Sequence, residues 1–185
     1  STDIQLISPS QIERIEVIKG PRAAIWGSDA VGGVIQIFTR KQEGLAASVN
    51  VGSNNYQQIN ATVGFEHGDG ASSIAINSEK SDGFDVLENV EPDDDGYKNL
   101  SITAVGNQML TDQLNVNYLL QLTDADVEYD SATWNNQSTK ENHIFAIGAD
   151  YASSDAHQLS IKLSQAQNSS LDFGVSDDLY ETVRN

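Results

Sequence analysis

The feature that most constrains this chain is an alternation of apolar and polar residues in short segments from residue 45 to residue 163. Within each segment every second side chain is apolar, and those between are mostly small, polar or charged. Because successive side chains of a β-strand point to opposite faces, this period of two predicts strands with one apolar and one polar face. The seven predicted strands lie at about residues 47–51, 59–66, 74–76, 100–104, 114–122, 145–151 and 159–163.

The connections between these segments differ in length at the two ends of the predicted sheet. Tight turns are predicted at 67–70, 110–112 and 153–156. At the other end the connection 52–55 is short, whereas 82–96 and 124–140 are long and acidic. Tight turns at one end and longer loops at the other are typical of up-and-down outer-membrane barrels. A soluble β-sandwich also alternates and is the alternative fold.

Composition excludes several classes of protein. The chain has 27 acidic and 10 basic residues and a net charge of −17, which repels the phosphates of nucleic acids. It has no cysteine, so disulfides and Cys-ligated metals are excluded. No apolar run approaches the ~20 residues of a membrane helix. His67, His143 and His157 follow no catalytic-triad order, so no enzyme is predicted.

Residues 1–41 follow a different pattern. The β-branched segment 12–19 predicts a strand, Gly20 and Pro21 end it, and a short helical turn is predicted at 22–26. A second strand is predicted at 34–39. This mixed α/β unit is too small to bury a core alone.

Residues 12–40 resemble the last segment of the plug domain of TonB-dependent outer-membrane receptors. In that family an acidic-Arg-hydrophobic-Glu strand precedes Gly-Pro, an aromatic-Gly-Ser turn, Gly-Gly and an apolar strand. The matching residues are Glu13, Arg14, Glu16, Gly20, Pro21, Gly27, Ser28, Gly32 and Gly33. The resemblance implies a mainly β protein of the bacterial outer membrane. By this resemblance, residues 1–41 are the end of a mixed α/β plug domain, and residues 42–185 are about seven antiparallel strands that begin a 22-stranded up-and-down transmembrane barrel. We expect a fragment that lacks the TonB-contacting segment.

Shorter motifs narrow the resemblance to the vitamin B12 (cobalamin) receptors of that family. They are the sequences at 27–30, 52–57, 83–86 and 93–96. This resemblance implies TonB-dependent transport of a scarce nutrient, with cobalamin or another small nutrient chelate, TonB and outer-membrane lipid as partners. A siderophore or haem receptor of the same family is one alternative. A soluble Ca2+-binding β-sandwich module is the other.

Acidic residues are concentrated in the two long connections. They are Asp82, Asp85, Glu88, Glu91, Asp93, Asp94 and Asp95 in the first, and Asp124, Asp126, Glu128 and Asp130 in the second. Carboxylates packed together repel one another, and a hard dication such as Ca2+, which takes oxygen ligands, relieves that repulsion. An EF-hand beginning at Glu91 is excluded because its twelfth position is Ile102. A merely solvated acidic surface is the alternative.

The resemblance also implies which residues bind the ion and the nutrient. Calcium in the family orders two extracellular loops over cobalamin. By position, the implied Ca2+ ligands are Asp85, Glu91, Asp93, Asp95, Tyr129, Asp130 and Asn136. In the family, an amide oxygen occupies the position of Glu91, and a further carboxylate lies near the position of Asn136. Ser131, in the second loop, is predicted to contact the bound cobalamin.

Overall fold

The computed structural model describes residues 12–21, 30–39, 43–87, 93–130, 135–154, 157–174 and 180–184. Within these ranges the regular structure is ten β-strands. No helix in this part of the chain has the length and apolarity needed to cross a membrane. The strands are β1 (Ile12–Lys19), β2 (Gly33–Thr39), β3 (Gly44–Val51), β4 (Gln57–His67), β5 (Gly70–Ser81), β6 (Tyr97–Thr111), β7 (Leu114–Glu128), β8 (Asn135–Ser154), β9 (His157–Gly174) and β10 (Tyr180–Arg184).

The sequence predicted strands at 12–19 and 34–39, and the corresponding β1 and β2 pair with each other in antiparallel order. Gly33, at φ +146°, begins β2, and a Cβ there would lie 2.5 Å from the Ile18 carbonyl oxygen, so only glycine fits. The Arg14 guanidinium lies 3.7 Å from the centre of the Phe38 ring and bonds Glu16 at 2.8 Å. The predicted helical turn at 22–26 lies outside the described residues.

Strands β3 to β10 form one antiparallel sheet in which each strand pairs with its neighbours in sequence. This consecutive order is an up-and-down meander and confirms the predicted mainly β fold. The seven predicted strands correspond to β3 through β9. Strand β10, which pairs with β9 from Tyr180 to Arg184, was not predicted because its short segment lacks an apolar alternation.

The predicted long connection at 124–140 is wrong in its bounds. Strand β7 continues to Glu128 and β8 begins at Asn135, so Asp124, Asp126 and Glu128 lie on a strand. Polar cross-strand pairs extend the ladder there, as where the Thr139 hydroxyl donates to Asp126 Oδ1 at 2.8 Å. By contrast, the predicted loop 82–96 fits the gap between β5 and β6.

In the eight-stranded sheet, large apolar side chains are exposed on one face and polar side chains are buried on the other, which is the reverse of a soluble protein. One face, here called the polar face, includes Asn77, Ser101, Thr123 and Asn142, which are register partners in a row across β5 to β8 and are at most 2% exposed. The other, the apolar face, exposes large side chains on neighbouring strands. Its residues include Ile59, Val63, Phe65, Ile74, Ile76, Leu100, Tyr118, Leu120, Phe145, Ile147, Leu159 and Leu163.

Candidate functional site in the acidic loops

The first acidic loop, residues 82–96, has its two ends against each other. The Asp95 N–H donates to the Phe84 carbonyl oxygen at 3.3 Å, and the Val86 N–H donates to Asp95 Oδ2 at 3.2 Å. Gly83, at φ +74°, lies against the Asp95 carbonyl, and a Cβ there would collide with it. The loop therefore depends on glycine at this position to place Asp95.

The short turn between β3 and β4 supports the base of this loop. Asn54 and Asn55 both have positive φ, near 53° and 52°, which asparagine tolerates better than most residues. The Asp82 N–H and the Ser81 hydroxyl both donate to the Asn54 carbonyl oxygen, at 2.9 and 3.1 Å. Asn55 Nδ2 also donates to Asp82 Oδ1 at 3.4 Å. The motif at 52–57 thus joins the β3–β4 turn to the first acidic loop.

The first loop also contacts the second connection, residues 129–134. The Gly96 N–H donates to Glu128 Oε2 at 3.0 Å, and the Glu128 N–H donates to the Gly96 carbonyl at 2.9 Å. The Leu87 N–H donates to Asp130 Oδ2. A Cβ at residue 96 would lie 2.9 Å from Glu128 Oε2, so glycine permits this approach. Two acids, Glu128 and Asp130, therefore bond the backbone of the neighbouring loop.

Carboxylates of the two loops influence one another. Burial raises the pKa of Asp95, and the nearby charges of Asp130 and Asp93 raise it further, although the bond from the Val86 N–H opposes them. Asp130 Oδ1 is inaccessible to solvent and has no hydrogen-bond partner. Burial, followed by the charge of Asp172, also raises the pKa of Tyr129. The loops therefore hold ionisable oxygens whose negative charge is incompletely compensated.

The structure brings part of the predicted ligand set together. Asp93, Asp95 and Asp130 interact electrostatically, and Asp85 is half-buried in the same loop. The Tyr129 N–H donates to the Asn136 carbonyl at 2.9 Å, which closes the second loop. Glu91 and Ser131 lie outside the described residues. Across the ranges that are described, no three His, Cys, Asp or Glu side chains are arranged as a metal site. The Ca2+ site remains a prediction.

Sequence reasoning did not predict the supporting contacts made by Glu128, Gly96 and Asn54. Glu128 was counted among the loop acids, but its backbone contacts depend on β7 being longer than the apolar alternation indicates.

Beneath the loops lies a cavity of about 300 Å³ with mainly polar walls. Its lining residues are Ser81, Asp82, Gly96, Tyr97, Lys98, Asp126, Glu128 and Gln137.

Comparison with known proteins identifies relatives of this chain. A family model of the TonB-dependent receptor plug domain matches residues 1–34. The chain is 34% identical over 154 residues to the vitamin B12 transporter BtuB of Photobacterium profundum, covering 80% of this chain and 25% of that protein. It is 32% identical over 148 residues to BtuB of Vibrio vulnificus, covering 77% and 24%. The chain thus spans about a quarter of these curated relatives.

Solved structures share the fold. The siderophore receptor PiuA of Acinetobacter baumannii aligns with a TM-score of 0.71 at 20% identity, covering 88% of this chain and 27% of that one. A mutant ferric enterobactin receptor of Pseudomonas aeruginosa, PfeA in complex with enterobactin, aligns with a TM-score of 0.73 at 17% identity, covering 98% and 33%. At these identities the likeness concerns the fold alone.

Proposed function

The chain belongs to the TonB-dependent receptors of the bacterial outer membrane, and from this premise we propose that the whole protein transports cobalamin inward. The energy would reach it through TonB, by a segment outside this chain. This family consists of transporters and receptors rather than enzymes. The observation that carries the substrate assignment is the 34% identity to a vitamin B12 transporter across 80% of the chain.

The sheet supports a membrane location for this function. Large apolar side chains are exposed on one face while polar side chains are buried on the other. That arrangement suits strands with lipid on one side and a polar interior on the other. The consecutive order of β3 to β10 contains no Greek-key crossing in the described sheet, so the soluble sandwich alternative is not supported.

Calcium is the proposed resident ion of the acidic loops. Asp85, Asp93 and Asp95 from the first loop and Asp130 from the second would hold it, with Glu91, Tyr129 and Asn136 completing the shell. The donor set fits, because every donor is oxygen and Ca2+ accepts six to eight oxygens in flexible geometry. The raised pKa of Asp95 and the unpartnered Oδ1 of Asp130 support the proposal, since both mark negative charge without compensation.

The proposed role of the ion is to order the loops over the nutrient. The described contacts already join the two loops through Gly96, Glu128 and Asp130. A dication between the carboxylates would hold that arrangement before cobalamin arrives, which removes part of the entropic cost of binding. Ser131, adjacent to Asp130, is proposed to contact the bound cobalamin.

A ferric siderophore is the second candidate substrate, because two siderophore receptors share the fold. Direct binding to the full-length receptor separates the two. We expect labelled cyanocobalamin to bind saturably and ferric enterobactin not to compete for it. Saturable binding of ferric enterobactin without any binding of cyanocobalamin would leave the family assignment intact and replace the substrate.

A further inference from the structure

Glu79 lies on the polar face of β5, close to the point where this strand ends at the first acidic loop. Its carboxylate accepts hydrogen bonds from both neighbouring strands. The Tyr97 hydroxyl on β6 donates to Glu79 Oε1 at 2.8 Å, and Gln58 Nε2 on β4 donates to Glu79 Oε2 at 3.1 Å. Glu79 therefore joins three strands at the level where the sheet meets the loops.

Gln58 is itself held in a fixed orientation. Its side chain is 9% exposed, and Asn50 Nδ2 on β3 donates to Gln58 Oε1 at 2.9 Å. Because the Gln58 oxygen accepts this bond from β3, the Gln58 amide nitrogen is turned toward Glu79. The network thus extends across β3, β4, β5 and β6 and ends on a single carboxylate.

Tyr56 attaches the turn between β3 and β4 to the same carboxylate. Burial, followed by the charge of Glu79 and a hydrogen bond to it, raises the pKa of the Tyr56 hydroxyl. The Gly52 N–H donates to the Tyr56 carbonyl oxygen at 3.0 Å and closes the turn. Within this turn the Asn54 carbonyl oxygen accepts the bond from the Asp82 N–H, at the start of the acidic loop. Glu79 is therefore connected to the support of the loop's first residue.

Tyr97 connects Glu79 to the other end of the same loop. It is the first residue of β6, it follows Asp95 by two positions, and it is the register partner of Ser81, the last residue of β5. Both ends of the loop at 82–96 therefore leave the sheet beside residues that are bonded to one carboxylate. Metal ligands keep a productive geometry only when the groups behind them are fixed in this way.

We propose that Glu79 is a positioning residue for the calcium site of the acidic loops and acts through Tyr97 and Tyr56. This inference rests on the proposed calcium function. Glu79 does not bind the ion; it fixes the ends of the loop that carries Asp85 and Asp95. Without metal the loop carboxylates repel one another, and fixed ends limit how far they separate. Less ordering is then left for the ion to impose, which tightens its binding.

Calorimetric titration of the full-length receptor with Ca2+, in the absence of cobalamin, tests the proposal. Glu79→Gln replaces two acceptor oxygens with one oxygen and one NH2 group, and removes the charge that strengthens both bonds. It should weaken Ca2+ binding about tenfold to a hundredfold, as loss of a group that orients metal ligands does. Tyr97→Phe and Tyr56→Phe change no charge and should each weaken it roughly threefold to tenfold. Glu79→Gln/Tyr97→Phe should bind as Glu79→Gln does, because both changes break one contact.

The matched controls lie at the opposite end of the sheet. Glu66→Gln removes the same charge from the polar face of β4 beside a tight turn. Tyr151→Phe removes a hydroxyl that donates to Gln113 Oε1 at 3.2 Å. Both controls should bind Ca2+ as the wild type does. Hydrogen exchange of the metal-free receptor should be faster at residues 82–96 in Glu79→Gln and unchanged in β7 and β8.

Equal Ca2+ affinity of Glu79→Gln and Glu66→Gln would overturn the proposal. So would a weakened Glu79→Gln beside wild-type affinity in both Tyr97→Phe and Tyr56→Phe, because charge alone would then explain the loss. If Glu79→Gln fails to fold, the two Phe variants should still bind Ca2+ more weakly than Tyr151→Phe, and equal affinities would overturn the proposal. A wild-type receptor that binds no Ca2+ would overturn the proposed ion itself, and the inference with it, before any variant is measured.

Discussion

Gly83 shows how a single residue sets the geometry of the acidic loop. Its positive φ and its contact with the Asp95 carbonyl fix the approach of the loop's two ends. The motif at 83–86 indicated a resemblance, but neither its spacing nor its composition predicts that contact. The acidic residues could be identified from the sequence because their charge does not depend on the fold. It missed the glycine's role because that role depends on the folded path of residues 94–96.

Gly83→Ala should therefore disturb the loop more than an ordinary turn substitution. The variant combines a strained positive φ with a collision against backbone, whereas Gly68→Ala has a positive φ and open space around the Cβ. Strain of this kind costs about 1–3 kcal/mol. We expect Gly83→Ala in the full-length receptor to weaken Ca2+ affinity at least tenfold and Gly68→Ala to leave it unchanged, as measured by calorimetric titration. Equal affinities in both variants would contradict this account of Gly83.

The raised pKa of Asp95 predicts that Ca2+ binding depends on pH. Its pKa is raised above the ordinary value, first by burial, so the ionised form is disfavoured in the metal-free loop. The protonated form of Asp95 favours the folded, metal-free protein. This contribution to stability is present at low pH and is lost as the pH rises through the raised pKa. Ca2+ requires the ionised form, so its affinity should fall as pH drops, beginning above the range of an ordinary aspartate near pH 3.9.

Calorimetric titration of the full-length receptor from neutral pH to about pH 4 tests this expectation. Asp95→Asn should bind Ca2+ more weakly at neutral pH and lose part of the pH dependence. Asp69→Asn, in a tight turn at the other end of the sheet, should behave as the wild type does. A wild-type affinity that stays constant down to about pH 4 would show that Asp95 does not hold the ion.

At the scale of elements, the strands were predictable only where one face is apolar. Alternation located β3 to β9 because their exposed apolar side chains have polar neighbours on the opposite face. Beyond Leu122 the alternation in β7 is reversed, because Asp124, Asp126 and Glu128 lie on the apolar face and Ala125 and Val127 on the other. Before Ile144, β8 is polar on both faces, so the apolar pattern of the other strands gave no signal at either end. Only the ladder itself, including Asp126 with Thr139, shows that these ends are strand.

The free-energy cost of a lysine substitution should depend on its depth along the apolar face. Phe145 is paired with Leu120, in the middle of the apolar face, whereas Val116 is paired with Gln108, whose side chain lies 2.9 Å from the His67 ring beside a tight turn. Lysine at the midplane of a barrel costs about 2–4 kcal/mol, and near an interface about 0–1 kcal/mol. Phe145→Lys should therefore destabilise the full-length receptor in lipid far more than Val116→Lys.

The control for depth is Ser164→Lys, because Ser164 is paired with Ala146 on the polar face at the same level as Phe145. It should cost less than Phe145→Lys, since lysine is already present on that face at Lys162. Reversible unfolding by denaturant in liposomes gives the three free energies of unfolding. Equal costs for Phe145→Lys and Val116→Lys would contradict the proposed position of the membrane.

For the whole molecule, the sheet's edges decide whether this chain folds alone. In the described sheet, β3 and β10 each pair on one side only. Unpaired backbone groups at an edge are not tolerated in lipid and promote aggregation in water. The 185-residue chain expressed alone should aggregate or stay unfolded. A monodisperse monomer that melts cooperatively without detergent in scattering and calorimetry would contradict this expectation.

The resemblance to the family was recognisable in the glycines and the proline of residues 12–40. These residues set the backbone geometry of the segment, so their order identifies it even where the other side chains vary. The substrate was narrowed only by short motifs in the connections. The fold does not discriminate further, since siderophore receptors share it.

The most direct test of the account is cobalamin affinity of the full-length receptor with and without a Ca2+ chelator. The wild type and Asp93→Ala/Asp95→Ala are compared, and Asp69→Ala/Asp112→Ala supplies the same charge loss in two tight turns. We expect Ca2+ to tighten cobalamin binding about 5- to 150-fold in the wild type and in the turn control. Chelated wild type and Asp93→Ala/Asp95→Ala should bind weakly whether or not Ca2+ is present. Equal cobalamin affinity in all of these conditions would contradict the claim that calcium orders the loops.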